Sequence, residues 1–339
     1  MARLTIAEAL REGLHEEMER DKSVFCLGED IGIRGGWGGA FTVTLNLEKD
    51  FRDRILDTPM SEAGFFGVAL GAAMMGLRPV VDVQYGDFIY CAMDQIVNQI
   101  AKIRYMSGGK VKVPLVMRAP VGATGRGAQH GQNPEALFLC VPGLKIACPS
   151  TAYDAKGILK AAVRDDNPVL IFEHKLLYGA KGARAESGSV DASSEIEDGD
   201  YLVPLGKGVV RRQGTDVTII ATLLMAHRAI AASNQLAAEG ISAEVIDPRS
   251  LVPFDWELVR ASVMKTTRAL IVEEGPGRGG WSAEIAATIA ESMSDYLTAP
   301  VLRVASPDIP VPFSPVMEKF YVPSTERIVS KARELVAEN

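Results

Sequence analysis

Cysteine is scarce: four residues, Cys26, Cys91, Cys140 and Cys148, in a chain of 339. No two form a Cys-x-x-Cys pair, and none stands at a zinc-like spacing with histidine. That excludes a disulfide framework and a zinc finger, so all four are expected as buried thiols of a reducing compartment. Positive charge is also short. The 36 Lys and Arg face 43 Asp and Glu, a net charge of −7, and no basic block stands out, so a nucleic-acid partner is not expected. Long apolar runs are missing too. The longest uncharged stretch, Ala63 to Leu77, is too short and too glycine-rich to span a bilayer. The opening Met1-Ala-Arg-Leu-Thr-Ile-Ala-Glu8 carries charge throughout and lacks the apolar centre of a signal peptide. These absences lead to the expectation of a cytoplasmic chain without a membrane partner.

What is present is enough apolar material, 47%, for two cores, and a length that suits two domains. Thr5-Ile-Ala-Glu8 is a capping box that predicts a helix to about Arg20. Strands are predicted at Val24–Leu27, Pro79–Val83, Val113–Met117, Leu144–Ala147 and Val169–Phe172. Helices are predicted from Glu62, over Tyr90–Met106, and over Ala152–Val163 with Ser150 as its cap. The stretch Gly179 to Gly208 is rich in Gly, Ser, Asp and Glu without period and reads as a linker. The alternation then resumes. Strands fall at Val217–Ala221, Ala243–Ile246, Ala269–Val272 and Val301–Val304, with helices near Ala226–Ala238, Trp256–Met264, Trp281–Ser292 and Thr325–Val336. Strands alternating with helices predict α/β architecture, a mostly parallel sheet covered on both faces. The expected domains are 1–178 and 209–339, joined by the linker 179–208.

Among polar residues, Glu62 is the most informative. It opens a Gly- and Ala-rich apolar helix with no cation inside the run, and such a helix is expected to be packed on all sides. A carboxylate there complements the helix dipole, or it serves a site at an internal seam. His130 lies among small residues in Arg126-Gly-Ala-Gln-His-Gly-Gln-Asn133, where an imidazole near neutral pH is useful, although exposed loop histidines are common. Phe88, between a strand end and the next helix, is core material or a flat face for stacking a heteroaromatic ring. His15 reads as a surface residue and His227 as structural; His174 ends a strand and could border a site, though that role is not expected. The glycine clusters Gly122–Gly127 and Gly275–Gly280 match neither the dinucleotide nor the Walker spacing, though a phosphate can approach the helix start after Gly280.

Several ordered runs carry a resemblance. They are Leu56-Asp-Thr-Pro-Met-Ser-Glu62, Gly71-Ala-Ala-Met-Met-Gly-Leu-Arg-Pro79, Met93-Asp-Gln-Ile-Val-Asn-Gln-Ile-Ala-Lys102, Tyr105-Met-Ser-Gly-Gly109 and Gln129-His130. Pro142-Gly-Leu-Lys145, Asp154-Ala-Lys-Gly157 and Pro310-Val-Pro-Phe313 continue them. Essentially end to end, the chain resembles the β subunit of the thiamine-diphosphate-dependent decarboxylating component of pyruvate, branched-chain and acetoin dehydrogenases. The resemblance implies a transketolase-like pyrimidine-binding domain followed by a transketolase C-terminal-type α/β domain. It gives Glu62 a hydrogen bond to the cofactor's aminopyrimidine ring, which favours the tautomer that removes the thiazolium proton. It makes Phe88 the residue stacked on that ring, Gln84 a cofactor-lining residue, and His130 the histidine that positions substrate or an incoming lipoyl group. Gly131 departs from the serine usual after that histidine. A structural monovalent cation, K+, is implied near Leu115, Ala162, Val163, Asp165 and Asn167. The magnesium–diphosphate motif, Gly-Asp-Gly with a downstream Asn, is absent, and Glu197-Asp-Gly-Asp200 is a poor substitute. The resemblance therefore implies half a site: Mg2+ is held mainly by an α subunit in an α2β2 heterotetramer. A lipoyl-bearing dihydrolipoamide acyltransferase is the next partner, and a 2-oxo acid or acetoin is the substrate. Trp37-Gly-Gly39 and Glu173-His-Lys-Leu-Leu-Tyr178 lean toward the acetoin type. A split transketolase or a non-catalytic scaffold would share the fold.

Overall fold

The computed structural model describes residues 2–33, 36–179, 188–196 and 199–337. Strands in the first half are β1 (Ala2–Leu4), β2 (Val24–Gly28), β3 (Ile55–Asp57), β4 (Arg78–Asp82), β5 (Val116–Val121), β6 (Lys145–Ala147), β7 (Val169–His174) and β8 (Ser194–Ile196). Those of the second half are β9 (Val209–Arg212), β10 (Val217–Ala221), β11 (Ala243–Asp247), β12 (Ser250–Val252), β13 (Ala269–Pro276) and β14 (Leu302–Ser306). One sheet has the order β12-β6-β7-β5-β4-β2-β3 and is parallel except for β12. The other runs β14-β13-β10-β11-β9 and is parallel except for β9. Every residue of β2, β5 and β7 is buried, as a sheet covered on both faces requires.

The two halves interlock more than a linker suggests. β12 belongs to the second half by sequence, yet it pairs with β6 and completes the edge of the first sheet. Within the segment expected as linker, β8 pairs antiparallel with β1, and Ala192, Ile196 and Val203 are buried. Tyr201 stacks on Tyr153 at 4.5 Å. Three-residue strands with distant partners leave no periodicity to read. Residues 180–187 and 197–198 of that segment lie outside the described residues, as do Arg34 and Gly35 of the glycine-rich loop.

Local differences have local causes. The capping box at Thr5 forms as predicted. The helix Ala152–Arg164 is capped by Thr151 rather than Ser150: Thr151 accepts from the Asp154 N–H, because only the residue directly before the helix reaches that donor. The strand expected at Val113–Met117 starts later, since Pro114 has no N–H for the ladder, and runs on to Val121 through the buried Arg118. The helix expected over Tyr90–Met106 is wound in pieces: a 3-10 segment Gly86–Ala92, a π segment Gln95–Ile100, and one α turn Ile103–Met106. The changes of winding keep Ile89, Ala92, Ile96 and Ile100 all buried. Cys26 and Cys148 are buried, but Cys91 and Cys140 are exposed, which corrects the expectation of four buried thiols.

Candidate active site at the carboxyl ends of the first sheet

Because β3, β2, β4, β5 and β7 are neighbours and parallel, the segments leaving their carboxyl ends lie in a row. Ligands of open parallel sheets bind at this edge. The row brings together Glu29 after β2, Thr58–Glu62 after β3, Gln84–Phe88 after β4, the loop Gly122–Gln132 after β5 and Lys175 after β7. Beneath it Arg118, 1% exposed, donates to Glu173 at 2.8 and 2.6 Å and to Asp82 at 2.6 Å. Tyr178 donates its hydroxyl to the same Glu173. Burial opposes charge on the guanidinium, but Glu173 and Asp82 together hold Arg118 above its ordinary range.

Glu62 is the first residue of the helix Glu62–Met74, half-buried, and makes no hydrogen bond or ion pair among the described residues. Ser61 provides no side-chain cap, so the start of this helix is left open. Glu29 is a neighbour that the sequence reading missed. Burial pushes its carboxyl up, and the charges of Glu62 and Asp30 push it further. One oxygen of Glu29 is buried without a partner. The helix covers only one face. Phe65, Phe66, Ala69, Leu70 and Ala73 are buried, whereas Val68 is 61% exposed, Met74 and Met75 are exposed, and a Cβ on Gly71 would meet nothing within 4 Å. The expectation of packing on all sides is therefore unmet within this chain.

Phe88 and His130 meet. Their rings lie 5.4 Å apart at 78°, and the Tyr85 ring stands 5.8 Å from the imidazole on another side. The loop that carries His130 is closed at its base, where the Gly122 N–H donates to Gln132 O at 3.2 Å. Gln132 donates from its backbone and its amide to Asp87, each at 3.0 Å. Lys175, 1% exposed, donates to the carbonyl of His130, and Arg126 donates to the Tyr85 hydroxyl. Gly122 has φ +95°, and a Cβ there would sit 2.1 Å from His174 Nε2, so only glycine fits.

Gln84 reaches the row, but its amide serves the protein: Oε1 accepts from Ala40 N at 2.8 Å and Nε2 donates to Glu29 O at 3.1 Å. The residues named for a monovalent cation are likewise engaged. Leu115 O accepts from Val169 N, Ala162 O from Asp165 N, and Val163 O from Arg78. The Asp165 carboxylate accepts from Lys145 on one oxygen and from Asn167 N and Nδ2 on the other. The helix start after Gly280, offered above to a phosphate, is filled by Glu273, which accepts from Ser282 N and Oγ at 3.1 and 2.6 Å. Of the remaining histidines, His15 pairs with Asp50 at the surface, His227 contacts Ser150 O, and His174 is buried against Glu274. His174 and Lys175 are thus tied to the loop that sequence reading had treated as separate. The adjacent His-Lys at the end of a fully buried strand was the available signal.

Residues 2–181 match the transketolase pyrimidine-binding domain and residues 206–328 the transketolase C-terminal domain. The chain is 44% identical to the acetoin:2,6-dichlorophenolindophenol oxidoreductase subunit beta of Cupriavidus necator, covering 98% of both. It is also 44% identical to the 2-oxoisovalerate dehydrogenase subunit beta of Bacillus subtilis, covering 99% of both. The same identity relates it to the pyruvate dehydrogenase E1 component subunit beta-1, mitochondrial, of Oryza sativa subsp. japonica, over 97% of this chain and 86% of that one. Equal identities to three activities do not choose between them. A split-gene transketolase, described as an inactive beta4 tetramer, superposes with a TM-score of 0.78 at 24% identity, covering 99% of both chains, which bears on the fold alone.

Proposed function

The chain belongs to the family of β subunits of thiamine-diphosphate-dependent 2-oxo acid and acetoin dehydrogenases, and from that premise we propose that it supplies the pyrimidine-binding half of an active site. The observation that carries this reading is Glu62: an unpartnered carboxylate at an open helix start, beside a bare apolar helix face and in one row with Phe88 and His130. Those residues fit the aminopyrimidine end of the cofactor. Glu62 offers the acceptor for a ring N–H, beside a Glu29 whose carboxyl is pushed up by burial and by the charges of Glu62 and Asp30. Phe88 offers a half-exposed ring as a platform. When bound, thiamine diphosphate supplies the electron sink for cleavage next to a carbonyl. His130, half-exposed and held by its carbonyl, has its ring free to bond a substrate oxygen or an incoming lipoyl thioester.

In this reading Mg2+ and the diphosphate are held mainly by an α subunit, in an α2β2 assembly whose α contact includes the bare face around Val68, Gly71 and Met75. Such a surface suits a partner helix, because small residues let backbones approach. The acceptor in this reading is lipoamide of a dihydrolipoamide acyltransferase, and the substrate is a 2-oxo acid or acetoin. A K+ at the 162–167 turn belongs to the same reading only if it displaces Lys145 from Asp165. Among the described residues no helix is long and apolar enough to cross a membrane. Calorimetric titration of thiamine diphosphate with Mg2+ tests the proposal. Tight binding to the α/β complex and none to the lone chain is expected. Tight binding to the lone chain would instead favour a complete transketolase-type site.

A further inference from the structure

The His130 loop is held from two sides, and the second side is the C-terminal domain. Glu274, on β13 of the second sheet, is buried and accepts from the Ala123 N–H at 2.8 Å, at the start of the loop. Its other oxygen lies 2.8 Å from His174 Nε2. Leu176 N–H donates to His174 Nδ1 at 3.1 Å, so Nδ1 is unprotonated and Nε2 carries the hydrogen that points at Glu274. At the tip of the loop, Glu318 accepts from the Gly125 N–H at 2.7 Å. Beyond these points two glycines, Gly127 and Gly131, let residues of the second half approach the loop closely. A Cβ on Gly127 would stand 3.2 Å from Phe313, and one on Gly131 would stand 3.0 Å from both Val311 and Gly127 O. The glycine at 131, where serine is usual, is what lets Val311 seat directly against the residue after His130.

We propose that Glu274 and Glu318 are positioning residues for His130, so that the C-terminal domain forms one jaw of a clasp whose other jaw is Asp87, Tyr85 and Lys175. This rests on the reading of His130 given above. The handles are the backbone N–H groups of Ala123 and Gly125, and carboxylates make strong acceptors for them. Two such bonds, one at the base and one at the tip, fix a loop that its own composition leaves free.

The clasp itself is tested without any substrate, by hydrogen exchange of peptides covering residues 122–132 in the full chain. Glu318→Ala should speed exchange there by about tenfold, the scale of one charge-assisted hydrogen bond, with other peptides unchanged. Glu318→Gln, which keeps an acceptor, should restore protection. Glu274→Gln should loosen the same peptide more, since one amide oxygen cannot serve both donors: either the NH2 faces the Ala123 N–H, or it faces His174 Nε2 and moves that proton to the nitrogen facing Leu176 N–H. In the α/β complex, both Glu318→Ala and Glu274→Gln should lower kcat by about tenfold or more while the affinity for thiamine diphosphate stays fixed. Unchanged exchange in Glu318→Ala overturns the clasp, and Glu318 is half-buried at the surface, so this variant folds even if Glu274→Gln does not. Faster exchange with an unaltered kcat, while His130→Ala is slow, overturns the positioning role and leaves the function standing. A His130→Ala enzyme as fast as the parent removes the function assigned to His130, and the positioning role with it.

Discussion

Two groups of carboxylates lie toward the carboxyl edge of the first sheet and differ in how far the chain pairs them. Asp82 and Glu173 share Arg118, and Tyr178 adds a hydroxyl to Glu173, so both carboxylates find donors inside the chain, although burial still pushes Asp82 up. Glu29 follows β2 and Glu62 opens the helix after β3; among the described residues Glu62 has no hydrogen bond or ion pair, and one oxygen of Glu29 is buried without a partner. The first group has the economy of structure: buried charges are tolerated only when paired and hydrogen-bonded. The second has the profile of a site, because it holds like charges where folding alone gains nothing from them. Burial alone does not separate the two; completeness of pairing does.

The contrast is broken most severely at Arg118. Arg118→Met leaves Asp82 and Glu173 buried and unpaired and should cost about 3–5 kcal/mol of stability, read by urea denaturation. If the loss is below about 1 kcal/mol, the layer is not the structural member of the pair. Glu62→Gln should do the reverse. Stability should stay within about 0.5 kcal/mol of the parent or rise slightly as repulsion with Glu29 is relieved. Turnover of the α/β complex should meanwhile fall by about 10²–10⁴-fold. A fully active Glu62→Gln complex would sink the catalytic assignment.

A third test uses acids that belong to neither group. Glu135 and Glu273, at the junction of the halves, are each pushed up to about 7 by burial, against the bonds from Asn133 and Ser282 respectively. A carboxyl whose folded pKa is raised stabilises the protein below its unfolded pKa and loses that contribution as pH rises through 7. Melting temperature should therefore fall between pH 5 and 8, by the equivalent of roughly 3 kcal/mol per residue at most. Glu135→Gln or Glu273→Gln should flatten the curve. Glu274 has the opposite sign. Burial pushes it up, but His174 and the Ala123 N–H outweigh that and hold it below the usual range, so its contribution is lost only toward acid pH. The smallest effect sharpens the open side of the comparison. Gly71→Leu fills empty space in the lone chain and should stabilise it by about 0.5–1 kcal/mol through helix propensity. In the complex the same side chain should weaken α association by about 1–3 kcal/mol, measured by sedimentation, if this face is the contact.

Much of this was legible beforehand where a signal is local. The helix from Ile6, the strands at Val24 and Val169 and the helix from Trp281 follow from capping and apolar runs, and the motif around Glu62 and His130 named the family. Reading failed where a residue's partner is far along the chain. β8 and β12 are three residues long and exist only because β1 and β6 accept them. His174 looked like a bystander because Glu274, its partner, is one hundred residues away. Gln84 was expected to face a ligand, yet its amide ties two loops of the protein together.

The sequence by itself determined the alternation that makes two mostly parallel sheets, the absence of a Gly-Asp-Gly run, and the family to which the chain belongs. Those are properties of residue type, spacing and period, which need no partner to be read. Only the tertiary structure decided which carboxylates are paired and which are left open, that one face of the Glu62 helix is bare, and that the second domain holds the loop of the first. Each of these depends on which strand ends become neighbours. That neighbourhood is set by burying two whole sheets at once, which no short stretch of sequence contains.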